Sequence, residues 1–245
     1  EPKTPRTEAG KGGGAGEMLQ SFVYILKNPL WRWLALGTML YYTSAAITQG
    51  IVVYYVKFYL EKPALTGLAT MCSMVSSFFA IVLLQVFAKK LGMAIAVCCL
   101  LVRLVTRDSI FPLYLGCLLV SGFGVGLFSS LLIPSLMDSI DYGEWLFGKR
   151  NDALVMSANS FGNKLGSGVG AALLGFMLDA VGYDETLAVQ SAAVKSGLFN
   201  TAIFVPLTVF SIVFCLMLMY RRYEKKLPEV RAALAEKRAA VKAGE

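Results

Sequence analysis

Apolar residues fall in long stretches along this chain, and charged residues gather in the gaps between them. Six stretches stand out, at 33–58, 64–88, 91–105, 111–137, 153–180 and 198–220. A helix crosses the hydrocarbon of a bilayer with about 20 residues, within a range of about 17–25. The stretch at 91–105 falls short of that range and is the weakest of the six. The pattern predicts an all-α membrane protein with a six-helix transmembrane bundle over 30–222.

The flanks read differently. Residues 1–16 are polar and Gly-rich, the composition of a flexible cytoplasmic linker. Within 17–29, Met18, Phe22, Ile25 and Leu26 recur at helical spacing, which predicts an amphipathic helix at the membrane interface, ended by Pro29. Trp31 and Trp33 flank Arg32 as interfacial anchors. In 223–245, Leu227, Val230, Leu234 and Val241 share one face among charges, which predicts a second amphipathic helix on the cytoplasmic surface. The chain opens at Glu1 and is expected to be a piece of a longer protein.

Composition supports the membrane reading. The 245 residues are 56% hydrophobic, more apolar surface than one soluble core of this length hides. The net charge of +7 raises the question of nucleic acid, yet the basic residues sit at the ends of apolar runs and not beside aromatic stacking groups. No nucleic-acid partner is expected. Lys3, Arg6, Lys11, Lys27, Arg32, Lys89, Lys90, Lys149, Arg150 and the basic tail fall on one side of the six predicted spans. Lys57, Lys62, Arg103, Arg107 and Lys195 fall on the other. The excess of positive charge puts both termini in the cytoplasm of a multi-pass cell (inner) membrane protein. There is no histidine, and the five cysteines lie within apolar runs without metal-ligand spacing, so no metal or cofactor site is expected. An intramembrane enzyme is disfavoured, because no paired carboxylates or activated nucleophile appear within the spans.

Lys164 stands near the middle of the fifth stretch, where a lysine costs about 2.5–3.5 kcal/mol to insert. At 100° per residue, Ser157, Ser160, Ser167, Gly168 and Ala171 share its face, a small polar surface suited to lining an aqueous cavity. The competing reading is a snorkelling lysine, which needs a closer interface. Gly162, Gly166 and Gly170 lie on the other side of that helix as a stripe for helix packing. The first stretch carries Tyr41, Tyr42 and Gln49, rings and an amide suited either to a polyhydroxylated solute or, for the tyrosines, to the membrane belt. Asp138, Asp141, Glu144, Lys149, Arg150 and Asp152 make a dense charged segment between the fourth and fifth stretches. By composition alone it is a solvated loop, and GKRND lacks the glycine spacing of a phosphate loop.

The segment DSIDYGEWLFGKRNDALVMSANSFGNKLGSGVGAALLG, residues 138–175, resembles the signature of the glycoside–pentoside–hexuronide cation symporters, melibiose-permease-like members of the major facilitator superfamily. The likeness extends more weakly from about residue 21 into the tail and corresponds to the second half of that family. The resemblance implies a twelve-helix transporter with two six-helix bundles, each a 3+3 inverted repeat, around a central cavity. It implies a sugar or glycoside substrate moved with Na⁺ or H⁺ by alternating access. This chain would be the C-terminal half, partnered by the lipid bilayer and by the N-terminal six-helix half that binds most of the coupling cation. Lys164 matches the cavity lysine, with Ser157, Ser160, Ser167, Gln49, Tyr41 and Tyr42 as neighbouring cavity candidates. Asp138, Asp141 and Arg150 match charged positions that close the cytoplasmic side, with Glu144 and Lys149 beside them in that gate. Ser129 and Ser130 depart from the pattern, standing where some members carry an aromatic, which leaves the sugar open. The same fold in a carrier of lipids or other amphiphiles, or in a non-transporting protein, is the alternative.

Overall fold

The computed structural model describes residues 15–83, 92–108, 110–187 and 189–243. Residues 1–14 of the linker expected over 1–16, the end of the second apolar stretch at 84–88, and Lys89 and Lys90 lie outside the described residues. Among the described residues, eight α-helices follow in order: α1 (Ala15–Lys27), α2 (Pro29–Tyr54), α3 (Thr66–Leu83), α4 (Gly92–Thr106), α5 (Phe111–Phe147), α6 (Asp152–Ala180), α7 (Ala192–Glu224) and α8 (Leu227–Ala243). The chain is all-helical, with no strand among the described residues.

Local chemistry sets several boundaries. Asn28 caps α2, its side chain accepting from the backbone N–H groups of Leu30 (3.0 Å) and Trp31 (3.3 Å). Pro29 follows at the first helical position, where its missing N–H costs nothing. The proline that ends α1 therefore also starts α2. The Asn28 amide donates to Ser139 O at 2.8 Å, which ties this junction to α5. Beyond Tyr54 the helix loosens into a π-turn, Tyr55–Tyr59. At the end of α5, Gly148 takes φ +70° and its N–H bonds Glu144 O at 2.8 Å, a left-handed stop that glycine adopts without strain.

α2 packs along α6 and α7, and α5 packs along α3 and α4, while α2 meets α5 and α4 meets α7. The α2–α6 and α3–α5 seams are close enough to exclude side chains. A methyl group on Gly170 would lie 2.4 Å from Thr43 O, and one on Gly122 would lie 2.7 Å from Ser73 O. Backbones approach this closely when small residues face the seam. α5 and α7 are long and apolar enough to cross a membrane. α2 and α6, with 26 and 29 residues, have the length, but polar groups interrupt their apolar character.

Both amphipathic flanks meet the bundle. Leu227, Val230 and Leu234 of α8 are buried against Leu30, Tyr142 and Tyr220, so the apolar face of the tail covers protein. On α1, Ile25 is buried with Leu34, Leu136 and Ile140, and Tyr24 stacks on Phe147 with ring centroids 5.0 Å apart. Phe22 and Leu26 stay exposed beside them. α1, α8 and the 148–151 loop thus gather at the end of the bundle where α5 finishes. Ala15 and Gly16, read as linker from composition, already belong to α1.

Candidate functional site

The α2–α6 seam organises the sequence-predicted cavity residues. Gly166 meets Met39, Tyr42 and Thr43, and Gly170 meets Thr43 and Ala46, so the two helices run parallel. With that seam fixed, the 100° step sorts the remaining positions. Ser157, Ser160, Lys164, Ser167 and Gly168 of α6 fall on the same side of the seam as Tyr42 and Gln49 of α2, the side away from α7. Lys164, Ser157, Ser160 and Gln49 are exposed, while Tyr42 and Ser167 are half-buried. Ser167 Oγ donates to Asn163 Oδ1 at 3.3 Å. Exposed Phe161, Leu165 and Phe176 form a separate bulky strip on α6. One helix thus presents three surfaces: a glycine seam, a small polar strip around Lys164, and an apolar strip. Gly162 stands apart from its partners in the stripe, with open space where a Cβ would be.

Tyr41 does not join this face. It is buried, its hydroxyl hydrogen-bonds Ser129, and its ring packs on Phe128 with centroids 5.0 Å apart. One 100° step separates it from Tyr42 and turns it into the α2–α5 contact. Ser129, one of the two positions that depart from the family pattern, therefore sits against an aromatic ring supplied by α2.

The charged segment is organised as well. Arg150 donates to Asp141 Oδ1 (2.7 Å) and Glu144 Oε2 (3.0 Å), and its Nε lies 2.9 Å from Asp152. Partial burial works against the Arg150 charge, but the bonds to these three carboxylates outweigh it and hold its pKa above the usual arginine value. Asp138 is held by Arg231, and Arg238 reaches Glu144 at 2.7 Å, both arginines coming from α8. Lys149 is exposed beside them. From the sequence, the tail arginines counted only as part of the basic tail. Their seven-residue spacing, which puts both on one face of α8, was the available signal.

A second group was missed entirely. Arg103, counted from the sequence among loop charges, is 5% exposed, and Asp108 is 2% exposed. Arg103 Nη2 lies 3.0 Å from Asp108 Oδ2, which also accepts from the Tyr55 hydroxyl at 2.5 Å. The guanidinium sits over the rings of Tyr114 (4.8 Å) and Tyr55 (5.4 Å). A buried charge is tolerated when it is paired and hydrogen-bonded in this way.

The family described as MFS/sugar transport protein matches residues 2–224. The isoprimeverose transporter of Lactiplantibacillus pentosus is 36% identical over 121 residues, 49% of this chain and 25% of that protein. The lactose permease of Lactobacillus helveticus is 28% identical over 232 residues, covering 89% of this chain and 36% of the permease. The inner membrane symporter YicJ of Escherichia coli (strain K12) is 29% identical over 185 residues, 70% of this chain and 39% of the symporter. The chain thus spans between 25% and 39% of the length of these curated relatives, which are transporters and permeases and not enzymes. This chain is a membrane protein of the MFS/sugar transport family, a glycoside–pentoside–hexuronide-type member of the major facilitator superfamily.

Proposed function

We propose that this chain is the C-terminal six-helix half of a secondary transporter that carries a sugar or glycoside with Na⁺ or H⁺ by alternating access. The observation that carries this reading is the polar strip around Lys164, which shares one side of the α2–α6 seam with Tyr42 and Gln49. A lysine at membrane depth needs water or a partner, and such residues face cavities. Among the described residues nothing pairs with the Lys164 ammonium, so the missing half or the solute supplies its partner. The helix contacts support a 3+3 repeat. Exchanging α2 with α5, α3 with α6 and α4 with α7 turns the α2–α6 contact into α5–α3 and the α2–α7 contact into α5–α4. The same exchange leaves the α2–α5 and α4–α7 contacts in place. The basic end, with α1, α8 and the 148–151 loop, faces the cytoplasm of the inner membrane. Asp138, Asp141, Glu144, Lys149 and Arg150 form the gate that closes there against the N-terminal half. The coupling cation binds mainly in that half, and the relatives named for isoprimeverose and lactose support a sugar as the solute.

The test is Lys164→Met in the full-length transporter. Insertion is expected to stay intact or improve, because the substitution removes a charge that costs about 2.5–3.5 kcal/mol in the bilayer. Sugar-coupled cation uptake in vesicles is expected to be lost. Coupled uptake at the wild-type rate would remove Lys164 from the cavity, and absence of sugar-coupled uptake by the wild-type full-length protein would overturn the carrier reading.

A further inference from the structure

A cavity of about 100 Å³ lies between α2, α3, α4, α5 and α7, beyond the reach of α6 and Lys164. Exposed Gln49 stands at its rim, and Tyr114, only 1% exposed, at its floor. Two oxygens of its wall residues, Thr48 Oγ1 and the Tyr114 hydroxyl, are buried with no hydrogen-bond partner among the described residues. Ser77 and Ser121 line the same space. Ser77 donates to Gly122 O at 2.8 Å and Ser121 to Leu118 O at 3.2 Å, so each keeps a lone pair to offer. The Arg103 charge on the wall is cancelled by Asp108, 3.0 Å away.

This lining selects its occupant by chemistry. A cation would meet a guanidinium and a carboxylate already taken, and an anion would meet the same carboxylate. A purely apolar group would leave the Thr48 and Tyr114 hydroxyls unmet. A hydroxyl has two lone pairs to accept with and one proton to donate, so it can take the Tyr114 and Thr48 donors and offer its proton to one serine lone pair. We propose that this cavity is a hydroxyl-binding subsite that receives one uncharged, hydroxymethyl-sized end of the carried solute, with Tyr114 and Thr48 as its contacts. The proposal rests on the sugar-carrier reading above. Gln49 links the two regions, since it lies both on the Lys164 side of α2 and at the rim of the cavity. Ordered water meets the same hydroxyl chemistry, and about 100 Å³ has room for roughly three molecules at about 30 Å³ each.

The experiment uses the full-length transporter in proteoliposomes. Counterflow with isoprimeverose, lactose and a methyl glucuronide identifies a sugar that it exchanges. Monodeoxy analogues of that sugar are then compared in the wild type, Tyr114→Phe and Thr48→Val. The expected result is one analogue that binds about tenfold more weakly than the parent sugar in the wild type. That penalty disappears in Tyr114→Phe or Thr48→Val, while the other analogues keep theirs. Equal weakening of every analogue by both variants assigns the hydroxyls to water or to packing and overturns the subsite, as does the absence of any change. If the wild type exchanges none of the three sugars, the carrier reading falls and takes the subsite with it, an outcome read before any variant is made.

Discussion

Where α4 turns toward α5, one arginine and one aspartate are sealed together, with Tyr55 donating to the carboxylate and two rings against the guanidinium. At the other end of α5, Arg150, Arg231 and Arg238 share Asp138, Asp141, Glu144 and Asp152 at a surface where the arginines meet water, although Asp138 itself is buried. The residue types are the same and the consequences differ. A sealed pair keeps its partner, because separation leaves a bare charge in a medium of low dielectric. An exposed cluster trades partners at little cost, since each bond replaces one to water. The first arrangement makes a fixed joint between α2, α4 and α5. The second is compatible with the gate proposed above.

The largest expected effect breaks the fixed joint. Asp108→Asn leaves Arg103 buried and uncompensated, at a cost of about 3–5 kcal/mol. Asp141→Asn, at the exposed end, costs about 0–1 kcal/mol, because Arg150 still holds Glu144 and Asp152. Thermal unfolding of the purified full-length protein in detergent compares the two. Replacing both partners, Arg103→Met with Asp108→Leu, is expected to recover most of the loss, since apolar residues of similar volume substitute well for a buried pair. Equal melting shifts for the two single variants would erase the contrast between the ends.

The seam that joins the ends comes next. A methyl on Gly170 would sit 2.4 Å from Thr43 O and 2.9 Å from the Ala46 Cβ, neither of which is a flexible tip that can swing away. Gly170→Ala therefore forces α6 off α2 and is expected to cost about 1–3 kcal/mol. Gly162→Ala meets open space and is expected to be neutral, or stabilising by up to about 1 kcal/mol through helix propensity. Matching melting temperatures for the two variants would show that the α2–α6 contact is looser than its geometry implies.

The parts of this architecture legible in the sequence are those that a strong local rule controls. Hydropathy marks α5 and α7 because the bilayer excludes charge over their apolar stretches, 111–137 and 198–220. The polar strip on α6 is visible because a fixed angular step puts Ser157, Ser160 and Lys164 together. Tyr41 and Tyr42 show the limit of that rule. The sequence offers them as equals, and only the position of α5 decides which ring is buried. Arg103 shows it again. As the last cation of a short apolar run it reads like any loop charge. Its pairing depends on the turn at Arg107 and Asp108, both at positive φ, and on Tyr55, far away in sequence. The tail was half legible. Periodicity predicted an amphipathic α8, but the partner for its apolar face is Leu30 and Tyr142, which sequence spacing cannot reveal.

A smaller effect separates the ends by salt. The ion pairs of Arg231 with Asp138 and of Arg238 with Glu144 help to dock α8 on α5. Raising ionic strength from 0.15 M to 1 M shortens the screening length from about 8 Å to about 3 Å and weakens these part-exposed pairs. The buried contacts of Leu227, Val230 and Leu234 remain, so α8 is expected to loosen by less than about 1 kcal/mol. The rate of tryptic cleavage within 227–243 is expected to rise a few-fold, with no change near Arg103. A cleavage rate indifferent to salt would mean that the apolar face alone holds the tail.

The smallest effect belongs to an exposed bridge near the sealed pair, which tests whether burial or location makes that end rigid. Glu61 follows the π-turn at φ +56° and accepts from Lys195 near the start of α7. The hydrogen bond and charge of Lys195 lower the Glu61 pKa below its ordinary 4.5. A carboxyl with a lowered pKa stabilises the fold above the unfolded value, and the contribution disappears as pH falls through the folded one. Between pH 7 and 5 the bridge is therefore intact, and it weakens below about pH 4.5. Glu61→Gln removes this dependence without touching Asp184, whose carboxyl is also lowered, by the Thr186 hydroxyl and N–H. The melting difference between wild type and Glu61→Gln is expected to be small at pH 7 and to shrink toward zero in acid. A difference that holds constant down to about pH 3 would mean that Lys195 does not act on Glu61 through charge. The rigidity of this end would then rest on Arg103 and Asp108 alone.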